Sequence, residues 1–294
     1  MKIPFLILFI LIVLSGCKQV NTQATIKPAD VTTPTLKRPA PLTETYHKSV
    51  KPFTSLNIQA PINATLSIGK PFSLSFKTDK VHAKNLLTTV KNHVLLITLA
   101  STSKPLSTNS VSMTLTMPRL SNLTVASRAR VFLAGLKAQN LKLSLTNDAH
   151  MVIEGNINTL TAHVNDNALL NAETLTVHTL KASFSNNANI IINATQNAYL
   201  RVNDNARLNI KGNLKDLSLR ADASANVDGH KLNATTARVV ASDNSKLSLG
   251  HIQTLKLIAS DSSKVSYTGR AKVTDVTTFN SAQVVSLNNY THTV

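Results

Sequence analysis

Tryptophan is absent from this chain of 294 residues, and only four tyrosines and eight phenylalanines occur in it. Proteins that grip single-stranded nucleic acid stack bases on aromatic rings, so this scarcity argues against that class of partner. Cysteine occurs once, at Cys17, which excludes a disulfide within the chain. Glycine numbers eight, too few for the Gly-Gly-x-Gly-x-Asp repeats that wind around calcium ions. No Gly-x-Ser-x-Gly elbow, glycine-rich phosphate loop or His-Glu-x-x-His pair is present, so no familiar catalytic frame is on offer. Acidic residues are outnumbered, 14 Asp and Glu against 31 Lys and Arg, for a formal charge of +17.

The longest apolar run, Ile3 to Leu14, is too short to span a bilayer comfortably and ends in Leu14-Ser15-Gly16-Cys17. Residues 1–17 resemble a bacterial lipoprotein signal with its lipobox, the alternative being an ordinary secretory signal. The resemblance implies lipidation of Cys17, with acyl chains such as palmitate as the membrane anchor in place of a helix. Lys18, standing where an aspartate would retain such a protein at the inner membrane, implies the outer membrane. Cleavage leaves 30 Lys and Arg against 14 Asp and Glu. So large an excess draws a protein to anionic surfaces. For an exported chain the expected partners are the membrane, through the anchor, and lipopolysaccharide or another anionic glycan, with no nucleic acid. The bland alternative is that the charge only keeps a long β surface soluble and blunts its edges. Nothing in the sequence calls for a cofactor.

Residues 18–51 hold Pro28, Pro34, Pro39 and Pro41 among threonines and lysines and read as a flexible tether, since so little apolar surface cannot offset the entropy of ordering. Residues 52–294 read as one all-β domain. Period-two alternation, as in Phe72-x-Leu74-x-Phe76 and Val111-x-Met113-x-Leu115-x-Met117, marks strands with one buried face. The clearest repeats run over 121–270, with 271–294 as a C-terminal cap. "HVNDNALLNA" from His163 returns as "RVNDNARLNI" from Arg201, with "ASFSNNANII" from Ala182 between them. An apolar marker before each polar corner falls at Val125, Leu145, Val164, Phe184, Val202, Leu219, Val240 and Ile258. A small residue closes each unit at Gly135, Gly155, Ala172, Ala194, Gly212, Gly229, Gly250 and Gly269. Both keep a beat of about 19 residues. A β unit of that length has one apolar side and cannot stand alone, so the units must stack as coils of a parallel β-helix. Asn and Asp tolerate left-handed backbone angles and can turn each corner where glycine otherwise would, and stacked asparagines can pair from coil to coil.

The stretches "VSMTLTMPRLSNLTV" from Val111 and "SRARVFLAGLKAQNLKLSLTNDAHMVIEG" from Ser127, with the coils after them, resemble the bacterial "putative auto-transporter adhesin, head GIN domain" family. The departure is in the corners, where Asn-Asp-Asn or Ser-Arg-Ala stands in place of Gly-Ser-Gly. The resemblance implies a right-handed parallel β-helix on an exported protein and brings no catalytic residues with it.

Three constellations invite a functional reading. Corner carboxylates at Asp148, Asp166, Asp204, Asp222, Asp243 and Asp261, with Asn187 filling a gap, are expected to line one edge, as turn residues, as an ion site or as a catalytic pair. His230 and His251 each follow a repeat glycine and are expected one coil apart, either sharing a transition metal or standing at a generic solvent-facing corner. The outward face of the strands is the candidate ligand-binding surface, with Lys142, His163, Arg201, Arg220, Arg238 and Lys256 alternating with buried residues. A long basic wall suits weak, repeated contacts with a polymer. The expectation is a non-catalytic, adhesin-like or scaffolding role at the cell envelope. The alternatives are a polysaccharide-degrading enzyme and a structural spacer.

Overall fold

A computed structural model describes residues 43–100, 110–269 and 271–287. Cys17, the signal segment and the tether as far as residue 42 lie outside the described residues. Strands β1 (Glu44–His47), β2 (Ser55–Ile58), β3 (Asn63–Ile68) and β4 (Ser73–Thr78) precede one short helix, α1 (Lys80–Asn85). Then come β5 (Leu86–Lys91), β6 (Val94–Leu99), β7 (Ser112–Met117) and β8 (Asn122–Val125). Seven long strands follow: β9 (Arg130–Leu145), β10 (His150–Val164), β11 (Leu169–Phe184), β12 (Asn189–Val202), β13 (Arg207–Ala221), β14 (Asn226–Ala241) and β15 (Lys246–Ala259). The described chain ends in β16 (Lys264–Thr268), β17 (Lys272–Thr278) and β18 (Gln283–Leu287).

Each long strand is one coil of a parallel β-solenoid, pairing in parallel with the coil before and the coil after. The ladder shifts register near the middle of most coils, and that bend divides the coil into a first and a second arm. Inward residues stack through the coils, as in Leu145, Val164, Phe184, Val202, Ala221, Ala241 and Ala259, all essentially inaccessible to solvent. Burying each large aliphatic side chain stabilises by about 1.5–3 kcal/mol, so the core grows coil by coil. At the bend Gly155 and Gly212 have φ of 129° and 125°. A Cβ there would lie 2.2 Å from the Leu136 carbonyl oxygen and 2.0 Å from that of Ala194, respectively. Only glycine lets the neighbouring backbone approach so closely.

The corners explain the recurring asparagines. After β9 the residues Asn147 and Asp148 have φ of 53° and 57°, and the Ala149 amide donates to the Thr146 carbonyl at 3.2 Å. Two left-handed residues closed by that bond make a type I′ turn, which Asn and Asp enter with least strain. The same geometry recurs at Asp166-Asn167, Asn186-Asn187, Asp204-Asn205 and Asp243-Asn244. The turns are themselves laddered, since the Asp148 amide donates to the Asp166 carbonyl at 3.0 Å and the Asn167 amide to that of Asn186 at 2.9 Å. Side chains add to this, with Asn186 Nδ2 donating to Asp166 Oδ1 at 3.0 Å and Asn187 Nδ2 to Asn167 Oδ1 at 3.2 Å. Just beyond each turn a small side chain is wholly buried: Ala129, Ala149, Ala168, Ala188, Ala206, Ala225, Ser245 and Ser263.

That stack corrects the register read from the sequence. In the last three units the inward residues before the turn are Ala221, Ala241 and Ala259, not Leu219, Val240 and Ile258. Leu219 is buried two places earlier, whereas Val240 is part-exposed and Ile258 is 37% exposed. A larger neighbour had masked the alanine, and a one-residue slip moves a side chain to the opposite face. The small-residue marker also mixes two positions. Gly155 and Gly212 sit at the bend, while Ala172 and Gly229 stand in the inward stack, opposite Ile192 and Leu249.

The N-terminal end is wound differently. β2 lies between β6 and β8, and β3 between β7 and β9, all in parallel, so the first coil in sequence is not the first in space. β4 then pairs antiparallel with β7, β1 with β4, and β5 with β6. Residues Glu44–His47, placed in the tether by composition, thus form a strand, because the open edge of β4 gives their backbone groups partners. At the other end β17 and β18 continue the parallel stacking, and residues 288–294 of the expected cap lie outside the described residues. Among the described residues no helix is long and apolar enough to cross a membrane.

Candidate functional site

The second arms build the outward face that the sequence singled out. Strand alternation points every other side chain away from the core, and parallel pairing sets equivalent residues side by side ~4.8 Å apart. One column runs Lys142, Thr161, Lys181, Tyr199, Ser218, Arg238 and Lys256. Two residues further along, a second column runs Ser144, His163, Ser183, Arg201, Arg220, Val240 and Ile258. All six residues of the candidate surface therefore lie on one face, in two adjacent columns. With Lys181 included, each of the seven coils β9–β15 contributes one basic side chain. Arg220 Nε meets Asp222 Oδ2 at 3.1 Å and Lys256 Nζ meets Asp275 Oδ2 at 3.0 Å. The hydrogen bond and charge of Lys256 hold the Asp275 carboxyl below its ordinary value. Among the described residues Lys142, Lys181, Arg201 and Arg238 face no carboxylate at ion-pair distance. A shallow groove of about 760 Å³ runs over this face, lined by His163, Lys181, Tyr199, Arg201, Arg220 and Arg238 among others.

Sequence reasoning missed Lys181 and Tyr199. Each sits beside a buried alanine, Ala182 and Ala198, whose small side chain gives a weak alternation signal, and a strand tyrosine reads as core. Here Tyr199 is 46% exposed.

The other constellations come apart. Among the corner carboxylates Asp166, Asp204, Asp243 and Asp261 share the first left-handed position, but Asn186 and Ala223 interrupt them. Asp148 occupies the second position, and Asp222 precedes its turn and faces Arg220. The row therefore makes turns and no continuous carboxylate groove. His251 stands opposite Asn233, and a register irregularity between Gly229 and Asn233 keeps His230 out of that ladder. His230 Nδ1 instead meets Asp228 Oδ1. Burial acts to raise the Asp228 pKa, yet the hydrogen bonds and charge of His230 leave it lowered. Among the described residues no group of three or more His, Cys, Asp or Glu could hold a metal ion. A second groove, of about 660 Å³, crosses the first arms near Lys246 and Lys264. Its basic column runs from Arg130 to Lys264 but is broken at Leu169, Asn189 and Asn226.

Comparison with known proteins now fits this geometry. The sequence model of the family described as "Putative auto-transporter adhesin, head GIN domain" matches residues 52–213 and 173–271. The chain belongs to this family. Its fold is similar to that of a Parabacteroides merdae protein described as a putative adhesin, at 11% identity and a TM-score of 0.62 over 83% of this chain and 96% of the other. A Parabacteroides distasonis protein described as a putative lipid binding protein is similar at 14% identity and a TM-score of 0.60, over 83% and 96%. A putative adhesin from the same species is similar at 15% identity and a TM-score of 0.59, over 83% and 98%. At these identities the likeness is one of fold. No curated protein matches the chain.

Proposed function

We propose that this protein is a non-catalytic, adhesin-like binding module of the cell envelope, held to the outer membrane by acylated Cys17, whose second-arm face binds anionic glycans or similar envelope polymers. The observation that carries the reading is the single basic side chain supplied by each of seven successive coils. Such a row gives a polyanion many weak contacts whose effects multiply along its length. The family's adhesin description supports a surface role. The carboxylates with displaced pKa values, Asp79, Glu173, Asp228 and Asp275, are all lowered, whereas a general acid needs a raised one.

Purified protein is expected to bind acidic envelope glycans, and not neutral ones, with an affinity that falls steeply as salt screens the charges. Salt-insensitive or absent binding contradicts this reading. Glycan breakdown that survives purification and stops in Asp204→Asn or Asp243→Asn would favour the enzyme instead. For the anchor, Cys17→Ser should move the protein from the membrane fraction to the soluble one, and unchanged membrane association refutes lipidation.

A further inference from the structure

We infer that the polymer on this face is a polyuronate, a chain of sugar rings each bearing one carboxylate, lying along the solenoid axis with about one ring per coil and one ring stacked on Tyr199. The inference deepens the proposed function and rests on it. In each of the coils β9–β13 these two columns carry one cationic or histidine side chain and one hydroxyl-bearing side chain. That combination suits a uronic acid ring, whose carboxylate takes the cation and whose ring hydroxyls take the Ser, Thr or Tyr oxygen. The repeat matches too. A linear pyranose chain advances one ring at a time by a length of the same order as the ~4.8 Å between parallel strands.

The order of the basic residues sharpens the fit. Lys142, His163, Lys181 and Arg201 alternate between the two adjacent columns, after which Arg220 repeats the second column and Arg238 and Lys256 share the first. Successive carboxylates of an extended 1,4-linked chain point to alternate sides, as the first four of these residues do. Polyphosphate sets its charges closer together and has no ring to stack, and a heavily sulfated glycan places several anions on one unit where each coil offers at most one cation. Tyr199 supplies what charge alone does not. Its exposed ring stands between Lys181 and Ser218, with Arg201 two residues on, and offers a flat apolar surface to the C–H face of a sugar. Beyond β13 the partners of Arg238 and Lys256 are Val240 and Ile258, so the hydroxyl contacts stop there while the charges continue.

Calorimetric titration of the purified full chain with oligogalacturonates of increasing length, beside inorganic polyphosphate of matched charge, tests this. Affinity for the uronates should rise with length and level off once the seven coils are spanned. Tyr199→Ala should weaken uronate binding about five- to tenfold and leave polyphosphate binding unchanged, with Tyr199→Phe close to wild type. If polyphosphate binds as tightly as the uronates and Tyr199→Ala alters neither, the polyuronate inference is overturned and the cationic face stands. If no polyanion binds, the proposed function falls with it.

Discussion

The two ends of the described chain solve the same problem by different means. From β9 to β15 every coil meets its sequence neighbours, and one local device, two left-handed residues followed by a buried small one, turns each corner. From β1 to β8 the order in space departs from the order in sequence, and antiparallel strands cover the outer edges of β6 and β7. A parallel stack offers an open edge at which another strand could add, and the antiparallel cover limits that growth. The repetitive part can lengthen or shorten by whole coils. The N-terminal end cannot, because β2 and β3 are enclosed by strands that come later in the chain.

This difference should be visible in unfolding. Phe184 and Phe76 are both buried in the core, and truncating either to alanine should cost about 3–5 kcal/mol. In a stack held by nearest-neighbour contacts a lesion at Phe184 uncouples the coils on its two sides, so Phe184→Ala should split urea unfolding into two transitions. Phe76→Ala should shift a single transition. The opposite assignment would contradict the contrast.

The corners offer a smaller test. Ala223 holds φ of 48° where its counterparts are mostly Asn or Asp. Ala223→Asn should stabilise the protein by about 1 kcal/mol, and Asn186→Ala should cost about 1–2 kcal/mol, both read from thermal unfolding. Ser245 occupies the buried small stack with no hydrogen-bond partner for its hydroxyl, and Ser245→Ala should stabilise by up to about 1 kcal/mol.

Much of this architecture was legible in the sequence because every coil must satisfy the same backbone angles with the same few residue types. The Asn-Asp-Asn corners and the beat near 19 residues are local consequences of that constraint. Register was less legible where alanine replaced a larger inward residue, as at Ala221, Ala241 and Ala259. There the eye moves to Val240 or Ile258, which face out. The N-terminal crossing of β2 and β3 was not legible at all, since pairing between strands far apart in sequence leaves no local signal. At the site, Lys142 and Arg201 were found by alternation with large apolar neighbours, and Tyr199 was missed because a strand tyrosine between Ala198 and Leu200 reads as core.

The smallest expected effect lies at the N-terminal end. Asp79 caps α1 by accepting from the His82 backbone amide at 2.8 Å, and this bond, with help from the His82 side chain, lowers its pKa. A lowered carboxylate stabilises the fold above its unfolded value, near pH 4, and the contribution disappears as pH falls through the folded value. Asp79→Ala should therefore cost about 1 kcal/mol or less at neutral pH and nothing in strong acid, as measured by unfolding at both.

The central claim is that binding depends on where the positive charges stand and not merely on how many there are. Two charge-matched variants decide it: Arg201→Gln with Arg238→Gln on the second-arm face, and Lys246→Gln with Lys264→Gln on the first-arm face, each titrated with polygalacturonate at one salt concentration. The first pair should lose about tenfold in affinity and the second about twofold or less. Equal weakening by both would mean that net charge alone attracts the polymer, and the ordered face would have no part in it.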